Sequence, residues 1–106
     1  MINMVGNALN TIAPTQWQLR PSEFPSLTFS FITENGEVYA DDEEIETSYV
    51  LQVDVWSKAD YTDIVNQVKN TMKQIGFYRS FENDEYEADI KIYHKIIRFN
   101  YTKQIN

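Results

Sequence analysis

The sequence predicts an α+β domain: an antiparallel sheet of about four strands, with one long helix and a short N-terminal helix packed on one face. Three observations lead to this prediction. Apolar residues alternate in residues 26–32 and 49–56, recur every three or four positions in residues 61–75, and alternate again after residue 88. The predicted order is helix, strand, strand, helix, strand, strand. A chain of 106 residues fits a single domain over residues 1–106.

The first elements are read from a helical and then an alternating pattern. Apolar residues spaced three, four and three predict the short N-terminal helix, which Pro14 ends: Ile2, Val5, Leu9 and Ile12. Trp17 and Leu19 alternate in the proline-rich segment that follows, which fits either a short strand or an extended edge segment. Residues 27–31 alternate clearly and predict a strand with one wet face.

An acidic segment joins this strand to the next. Asn35-Gly36 predicts a tight turn, and Val38 and Tyr39 extend the hairpin briefly. Residues 41–46 then carry five carboxylates within six positions. Because like charges repel one another, we expect an exposed, mobile loop here.

The segment from residue 49 to residue 76 has the most consistent local signals. The inner face of its strand is formed by four alternating residues: Tyr49, Leu51, Val53 and Val55. Ser57, with Asp60 three residues later, predicts the N-cap of a helix over about residues 58–75. Gly76 fits the C′ position that ends this helix.

The C-terminal part alternates with one phase slip. Residues 77–81 alternate, and residues 82–87 predict a second acidic turn. In the last strand, Ile90 and Ile92 share one face, whereas Ile97 and Phe99 share the other. Either a bulge near residues 94–96 restores the phase, or both faces of the strand are covered.

The composition excludes several kinds of chemistry. The chain has no cysteine and one histidine, which excludes disulfides, cysteine catalysis and metal sites built from several histidines. His94 lies mid-strand and is interpreted as a partly buried structural residue at a bulge. The acidic clusters lack the EF-hand spacing, and no phosphate-binding glycine loop occurs. We therefore predict no enzyme, no cofactor, and no catalytic or metal-binding residue.

Charge and hydropathy limit the partners. The net charge is −7, and the nine lysines and arginines are scattered, so specific DNA binding is not expected. No apolar run approaches 18 residues, so no membrane span is expected either. Trp56, at the end of its strand, is either a cap on the core or an interface anchor.

Four stretches of the chain fit a known pattern: Phe24-Pro25 with residues 27–31, residues 51–57 (LQVDVWS), residues 61–76, and residues 94–101 (HKIIRFNY). With these stretches the chain resembles the tail terminator, or tail-to-head joining, proteins of long-tailed bacteriophages. The likeness covers nearly the whole chain as a pattern, and VDVW is its most specific part. The chain is shorter at its N-terminus than some members of that family, which leaves another neck role open.

The resemblance implies a structural virion protein that caps the tail tube as a ring, usually of six subunits, and catalyses nothing. Its partners would be the tail tube protein and a head-completion or connector protein. It would be made in the host cytoplasm and located at the head–tail interface. Six copies would carry a charge of about −42, and an acidic bore would let DNA slide through without specific binding.

The acidic segments of residues 41–46 and 82–87 are therefore expected to face the channel or a partner ring, and Tyr39 and Trp56 are expected at the interface with them. The expected interface residues are Trp56, Tyr39, Asp41, Asp42, Glu43, Glu44, Glu46, Glu82, Asp84 and Glu85. The alternative functions are another phage neck or head-completion protein, or a cellular α+β module that binds a protein partner. A small hydrolase using His94 is the least favoured hypothesis.

Overall fold

The described part of the chain forms two helices and five strands. The computed structural model describes residues 2–17, 21, 23–40 and 43–104. In chain order the elements are α1 (Ile2–Asn10), β1 (Thr15–Trp17), β2 (Ser26–Ala40), β3 (Glu43–Ser57), α2 (Thr62–Gln74), β4 (Tyr78–Glu87) and β5 (Ile92–Gln104). Neither described helix is both long and apolar enough to cross a bilayer.

The five strands form one mixed sheet in the order β1-β2-β3-β5-β4. The α+β class is confirmed, but an all-antiparallel sheet of about four strands is wrong. The additional strand, β1, pairs with β2 in parallel, with Thr15 opposite Leu27 and Trp17 opposite Phe29. The Leu27 N–H also donates to the Pro14 carbonyl over 2.8 Å, so the chain enters the sheet edge directly after α1. Of the two alternatives for this segment, a short strand and an extended edge segment, the short strand is correct.

One face of the sheet and both helices enclose the core. The predicted inner face of β3 is confirmed, since Leu51, Val53 and Val55 are fully buried. Val5 and Leu9 of α1 join the same cluster. The other members are Ala13, Leu27, Phe29, Val65, Val68, Met72, Phe77, Ile97 and Phe99. The helices therefore pack on one face, as predicted.

Helix α2 begins later than the sequence predicts. Ser57 is the last residue of β3, and its Oγ accepts a hydrogen bond from the Ala59 N–H over 3.2 Å, so its prediction as the N-cap is wrong. Asp60 lies closer to the first turn, and its Oδ1 accepts from the Thr62 N–H over 2.9 Å. The helix starts at Thr62 because residues 58–60 form this local turn instead.

The end of α2 follows the prediction. Gly76 has a φ of 98°, which a residue with a side chain rarely adopts. Its N–H donates to the Lys73 carbonyl over 3.1 Å, and the Phe77 N–H donates to the Met72 carbonyl over 2.9 Å. This pair of bonds is the Schellman arrangement, which satisfies the last carbonyls of the helix.

The β2–β3 hairpin is longer than predicted, and the turn at Asn35-Gly36 is wrong. Gly36 pairs with Thr47, and the pairing continues to Ala40 opposite Glu43, with register shifts on both sides of Val38. The expected loop is therefore wrong for Glu43, Glu44 and Glu46, which belong to β3. Asp41 and Asp42 lie outside the described residues. The chain does not reverse at Gly36, because strand pairing continues past it through these register shifts.

The C-terminal strands correct two further predictions. Residues 82–87 are not a turn, because they form β4 with residues 78–81 and pair with β5. There is no bulge in β5, whose pairing with β3 is unbroken from Tyr93 to Gln104, and the register shift lies in β4 near Ser80. The second alternative is the correct one. Ile97 belongs to the core under the helices, whereas Ile92 and His94 are buried on the opposite side of the strand.

Candidate functional site

The sheet face opposite the helices carries a group of polar and aromatic side chains that contact one another. We call it the open face. Register places alternate residues of the three neighbouring strands on it: Gln52, Asp54 and Trp56 of β3, His94 and Arg98 of β5, and Glu85 and Glu87 of β4. Thr28 of β2 adjoins Asp54.

A stacked aromatic pair lies at the centre of the open face. The rings of Trp56 and His94 are 3.8 Å apart between centroids and inclined by 11°. The Trp56 indole N–H donates to the Thr28 Oγ1 over 2.9 Å, and both rings are almost fully buried. Of the two roles left open by the sequence, this burial agrees better with packing inside the chain. The role of Trp56 as an interface anchor stays a prediction.

Three carboxylates surround the imidazole of His94. Its Nδ1 lies 3.2 Å from Glu87 Oε1 and 3.8 Å from Glu85 Oε2. Its Nε2 lies 3.6 Å from Asp54 Oδ1, too far for a hydrogen bond, so Asp54 acts on this nitrogen through its charge. Burial lowers the pKa of His94, while Asp54 and Glu87 raise it, and the net pKa lies above the usual value.

A chain of polar contacts extends from this cluster along the open face. Asp54 Oδ1 accepts from the Gln52 side-chain amide over 2.8 Å, and Gln52 Oε1 accepts from Arg98 Nε over 3.1 Å. The Arg98 guanidinium lies over the Phe81 ring, 5.3 Å from its centroid. The Gln52 amide and the His94 Nε2 therefore approach the same Asp54 oxygen, Oδ1.

A second acidic cluster lies on the helix side of β4. Glu82 forms ion pairs with Lys69 of α2 over 2.9 Å and with Lys95 of β5 over 3.0 Å, and it also contacts Arg79. The hydrogen bond from Lys69 is the largest influence and, with that from Lys95, outweighs burial and lowers the pKa of Glu82 to about 2. Asp84 accepts from the Tyr61 hydroxyl, which lowers the pKa of Asp84 despite partial burial.

Replacing Glu82 should reveal how much this cluster stabilises the fold. At pH 7 we expect Glu82→Gln to lower the free energy of unfolding by about 1 kcal/mol, because solvent screens a partly exposed network. The pKa of Glu82 is lower in the folded than in the unfolded chain, so its contribution is complete above its ordinary value of 4.5. The difference between wild type and variant should shrink as the pH falls from 4.5 towards 2, measured by urea unfolding.

Glu23→Gln is the control for this experiment, because Glu23 is exposed and forms no ion pair with any side chain that the structure describes. It should change stability little at any pH. A wild-type advantage over Glu82→Gln that persists unchanged at pH 2 would contradict the ion-pair explanation.

The structure separates the ten expected interface residues into groups. Glu82 and Asp84 share the helix-side cluster, whereas Glu85 lies on the open face near Trp56. Tyr39 pairs with Glu44, and Glu43 and Glu46 lie beside them in the same hairpin. Asp41 and Asp42 lie outside the described residues. Contact of these ten residues with a partner stays a prediction.

Sequence reasoning missed the grouping of Asp54, Glu85, Glu87 and His94. Strand order alone brings them together, since β5 inserts between β3 and β4. One local signal existed. Glu85 and Glu87 are two residues apart, and this spacing places both on one face if the segment is a strand. Interpreting residues 82–87 as a turn hid that signal.

Comparison with known proteins adds no assignment to this geometry. Neither the scan against models of protein families nor the search of curated proteins gives a match for the chain.

Proposed function

We propose that this protein is a structural component of a bacteriophage virion: a tail terminator or tail-to-head joining protein that forms a ring, caps the tail tube and connects it to the head. The ring of six subunits and the identity of its neighbours rest on the resemblance. The structure supports the proposal through the shape and charge of the sheet edges and of the hairpin.

The observation that carries the proposal is the pair of unlike open edges of the sheet. Within the described residues, β4 pairs only with β5, so its outer edge is free over ten residues. At the other edge, and again for the part of the chain that the structure describes, the three residues of β1 pair only with Leu27–Phe29 of β2. An edge strand offers unpaired N–H and C=O groups to another chain. Two different edges favour head-to-tail contact, which closes into a ring when the rotation allows it.

The charge of β4 disfavours the simplest alternative, a symmetric dimer through this edge. Pairing β4 with β4 of a second copy would bring the acidic residues of both copies together: Glu82, Asp84, Glu85 and Glu87. Like charges on adjacent strands are destabilising. The edge therefore suits a different surface of the next subunit better than a copy of itself.

The β2–β3 hairpin gives the molecule an arm for contacts between subunits. The molecule measures 53 × 25 × 19 Å, and the ten residues from Phe31 to Ala40 span about 30 Å of extended chain. Among the β2 residues whose side chains are described, Leu27 and Phe29 are buried in the core. A long arm beyond the core can reach a neighbouring subunit or a stacked ring.

The segments of the resemblance occupy the structural centre of the domain. Residues 51–57 lie in β3, residues 61–76 contain α2, and residues 94–101 lie in β5. They contribute part of the core and two interior strands, so they provide a rigid base for the edges and the hairpin. The N-terminal helix of the pattern is represented by α1.

Size and shape test the proposal directly. We expect rings in negative-stain micrographs of the protein alone or mixed with tail tubes, and a matching mass in analytical ultracentrifugation. A tube mixed with the protein should stop growing. A monomer at every concentration, with no effect on tubes, would refute the ring. A gene position away from capsid and tail-tube genes would favour the cellular module instead.

Removing charge from residues 41–44 tests whether this acidic segment faces the channel or a partner. Replacing Asp41, Asp42, Glu43 and Glu44 by Ser should leave the domain folded and impair particle assembly or DNA ejection, because these carboxylates lie far along the chain from the core. Micrographs of particles and release of DNA measure the effect. The control removes charge elsewhere, at Glu23 and Asp63, and should assemble normally. Unchanged assembly and DNA ejection in the variant with Ser at residues 41–44 would show that this interface prediction is wrong.

A further inference from the structure

We propose that His94, Glu85 and Glu87 bind a divalent transition-metal ion such as Zn²⁺ on the open face of the sheet. One nitrogen and two carboxylate oxygens would be the ligands, and the remaining coordination positions would be open to water or to another donor. The site is not one of the features expected from the sequence, and it stands independently of the proposed ring.

The ligand atoms are already close to the spacing that a metal ion requires. One Glu85 oxygen, one Glu87 oxygen and one His94 nitrogen all lie within 4.8 Å of one another. Two ligands about 2.05 Å from a tetrahedral zinc ion are about 3.4 Å apart. The Nδ1 of His94 lies 3.2 Å from Glu87 and 3.8 Å from Glu85, which brackets this spacing.

An unsatisfied nitrogen within this cluster distinguishes it from an ordinary group of surface acids. The His94 side chain is 8% exposed, and its Nε2 is buried without a hydrogen-bond partner among the described residues. If Nδ1 carries the proton, the lone pair of Nε2 faces the Asp54 carboxylate. If Nε2 carries the proton, the lone pair of Nδ1 faces the carboxylates of Glu85 and Glu87. Each neutral tautomer therefore leaves a repulsive contact, which either a second proton on the ring or a bound metal ion relieves.

A cation at Nδ1 removes this conflict. The imidazole then carries its proton on Nε2, directed at Asp54, and gives its Nδ1 lone pair to the metal, as histidine ligands backed by a carboxylate do. Among the residues whose side chains are described, no lysine or arginine forms an ion pair with Asp54, Glu85 or Glu87. Three carboxylates around one imidazole leave negative charge that a divalent ion would balance.

The surrounding residues hold the ligands in place. Trp56 stacks on the His94 ring and fixes its plane, and Gln52 holds Asp54 through a hydrogen bond of 2.8 Å. Glu85 lies directly opposite His94 in the β4–β5 pairing, and Glu87 is the next residue on the same face. All ligands therefore come from a paired strand framework, which favours a defined geometry over a mobile cluster.

The ligand types select the class of ion. Imidazole suits Zn²⁺, Co²⁺, Fe²⁺ and related ions, whereas Ca²⁺ prefers six to eight oxygen ligands. A site with one nitrogen and two carboxylates fits the first class. We therefore expect Co²⁺ to serve as a spectroscopic probe and Zn²⁺ to compete with it, while Ca²⁺ competes weakly.

The stacked Trp56 supplies the measurement. In a Trp17→Phe background, Trp56 is the only tryptophan left, and Co²⁺ bound beside His94 should quench its fluorescence. We expect saturable quenching with a stoichiometry of one ion per chain and reversal by Zn²⁺. Visible absorption of the bound Co²⁺ would report its coordination.

Matched variants locate the ion. Glu85→Gln and Glu87→Gln, in the same background, should weaken Co²⁺ binding by about 10–100-fold, and Glu23→Gln should leave it unchanged. His94→Gln should abolish binding, and the exposed Glu85 keeps the test valid if the histidine variant fails to fold. If quenching does not saturate at Co²⁺ concentrations up to about 1 mM, any binding is very weak, and the proposal is overturned. Equal affinity in the Glu85, Glu87 and Glu23 variants, or competition by Ca²⁺ as strong as by Zn²⁺, would also overturn it.

Discussion

Phe99→Ala is expected to lower the free energy of unfolding by about 3–5 kcal/mol, the largest effect of any substitution considered for this protein. Phe99 is 1% exposed and lies on β5 opposite Leu51 of β3, in the core beneath the helices. Truncation removes apolar surface and leaves a cavity between packed elements. A domain of this size has a total stability of about 5–15 kcal/mol, so the variant should be largely destabilised in urea titrations.

Phe81→Ala is the matched control, because it removes the same side chain from the adjacent strand on the other face. Phe81 is 46% exposed and contacts Arg98 through a cation–π interaction. Its truncation should cost only about 0.5–1 kcal/mol. Similar losses for the two variants would mean that the core is not on the helix side of the sheet.

Gly76→Ala is expected to destabilise the domain by about 1–2 kcal/mol, for two reasons. The φ of 98° at Gly76 is unfavourable for a residue with a side chain. A Cβ atom would also lie 3.0 Å from Cε2 of Tyr101, whose ring packs on Phe77. Thermal unfolding should show a melting temperature lower by about 4–8 °C for each kcal/mol.

Gly6→Ala should have the opposite effect. Gly6 lies in the middle of α1, and its added Cβ would meet the Phe29 ring at an ordinary contact distance of 3.4 Å. Alanine is a better helix former than glycine by about 0.5–1 kcal/mol, so this variant should be as stable as the wild type or more stable. Equal destabilisation by both substitutions would argue against the conformational explanation for Gly76.

The sequence predicted best where local pattern and tertiary packing agree. Leu51, Val53 and Val55 alternate into the core, and Gly76 ends α2 as its type suggests. In both places the same residues satisfy the local preference and the packed structure. The fold class and the side on which the helices lie follow from these elements.

Long-range pairing decided the features that the sequence predicted incorrectly. Asn35-Gly36 favours a tight turn by itself, but pairing of residues 33–40 with residues 43–50 extends the hairpin past it. The acidic segment of residues 82–87 looks like a loop when only the repulsion among its own carboxylates is considered. In the sheet, Lys69 and Lys95 neutralise Glu82 from α2 and β5. Local sequence cannot reveal these distant partners.

The open-face site was hidden for the same reason. Asp54 and His94 are forty residues apart in sequence, and their approach depends on the position of β5 next to β3. The phase slip in the β5 sequence results from this strand order. Ile92 and His94 are buried on one face of the strand, and Ile97 and Phe99 are buried on the other. Of the two alternatives for this slip, a bulge and coverage of both faces, the second is correct, but the slip alone does not decide between them.

The strand order also constrains the order in which the strands of one chain can pair during folding. β4 precedes β5 along the chain, yet it joins the sheet only through β5, so it has no place to dock until residues 92–104 have paired with β3. Contacts between β3 and β5 connect distant parts of the chain and form slowly for that reason. A polypeptide truncated before Ile92 would leave one side of β3 without its partner strand. Such a fragment would present an apolar template for aggregation rather than a smaller version of the same fold.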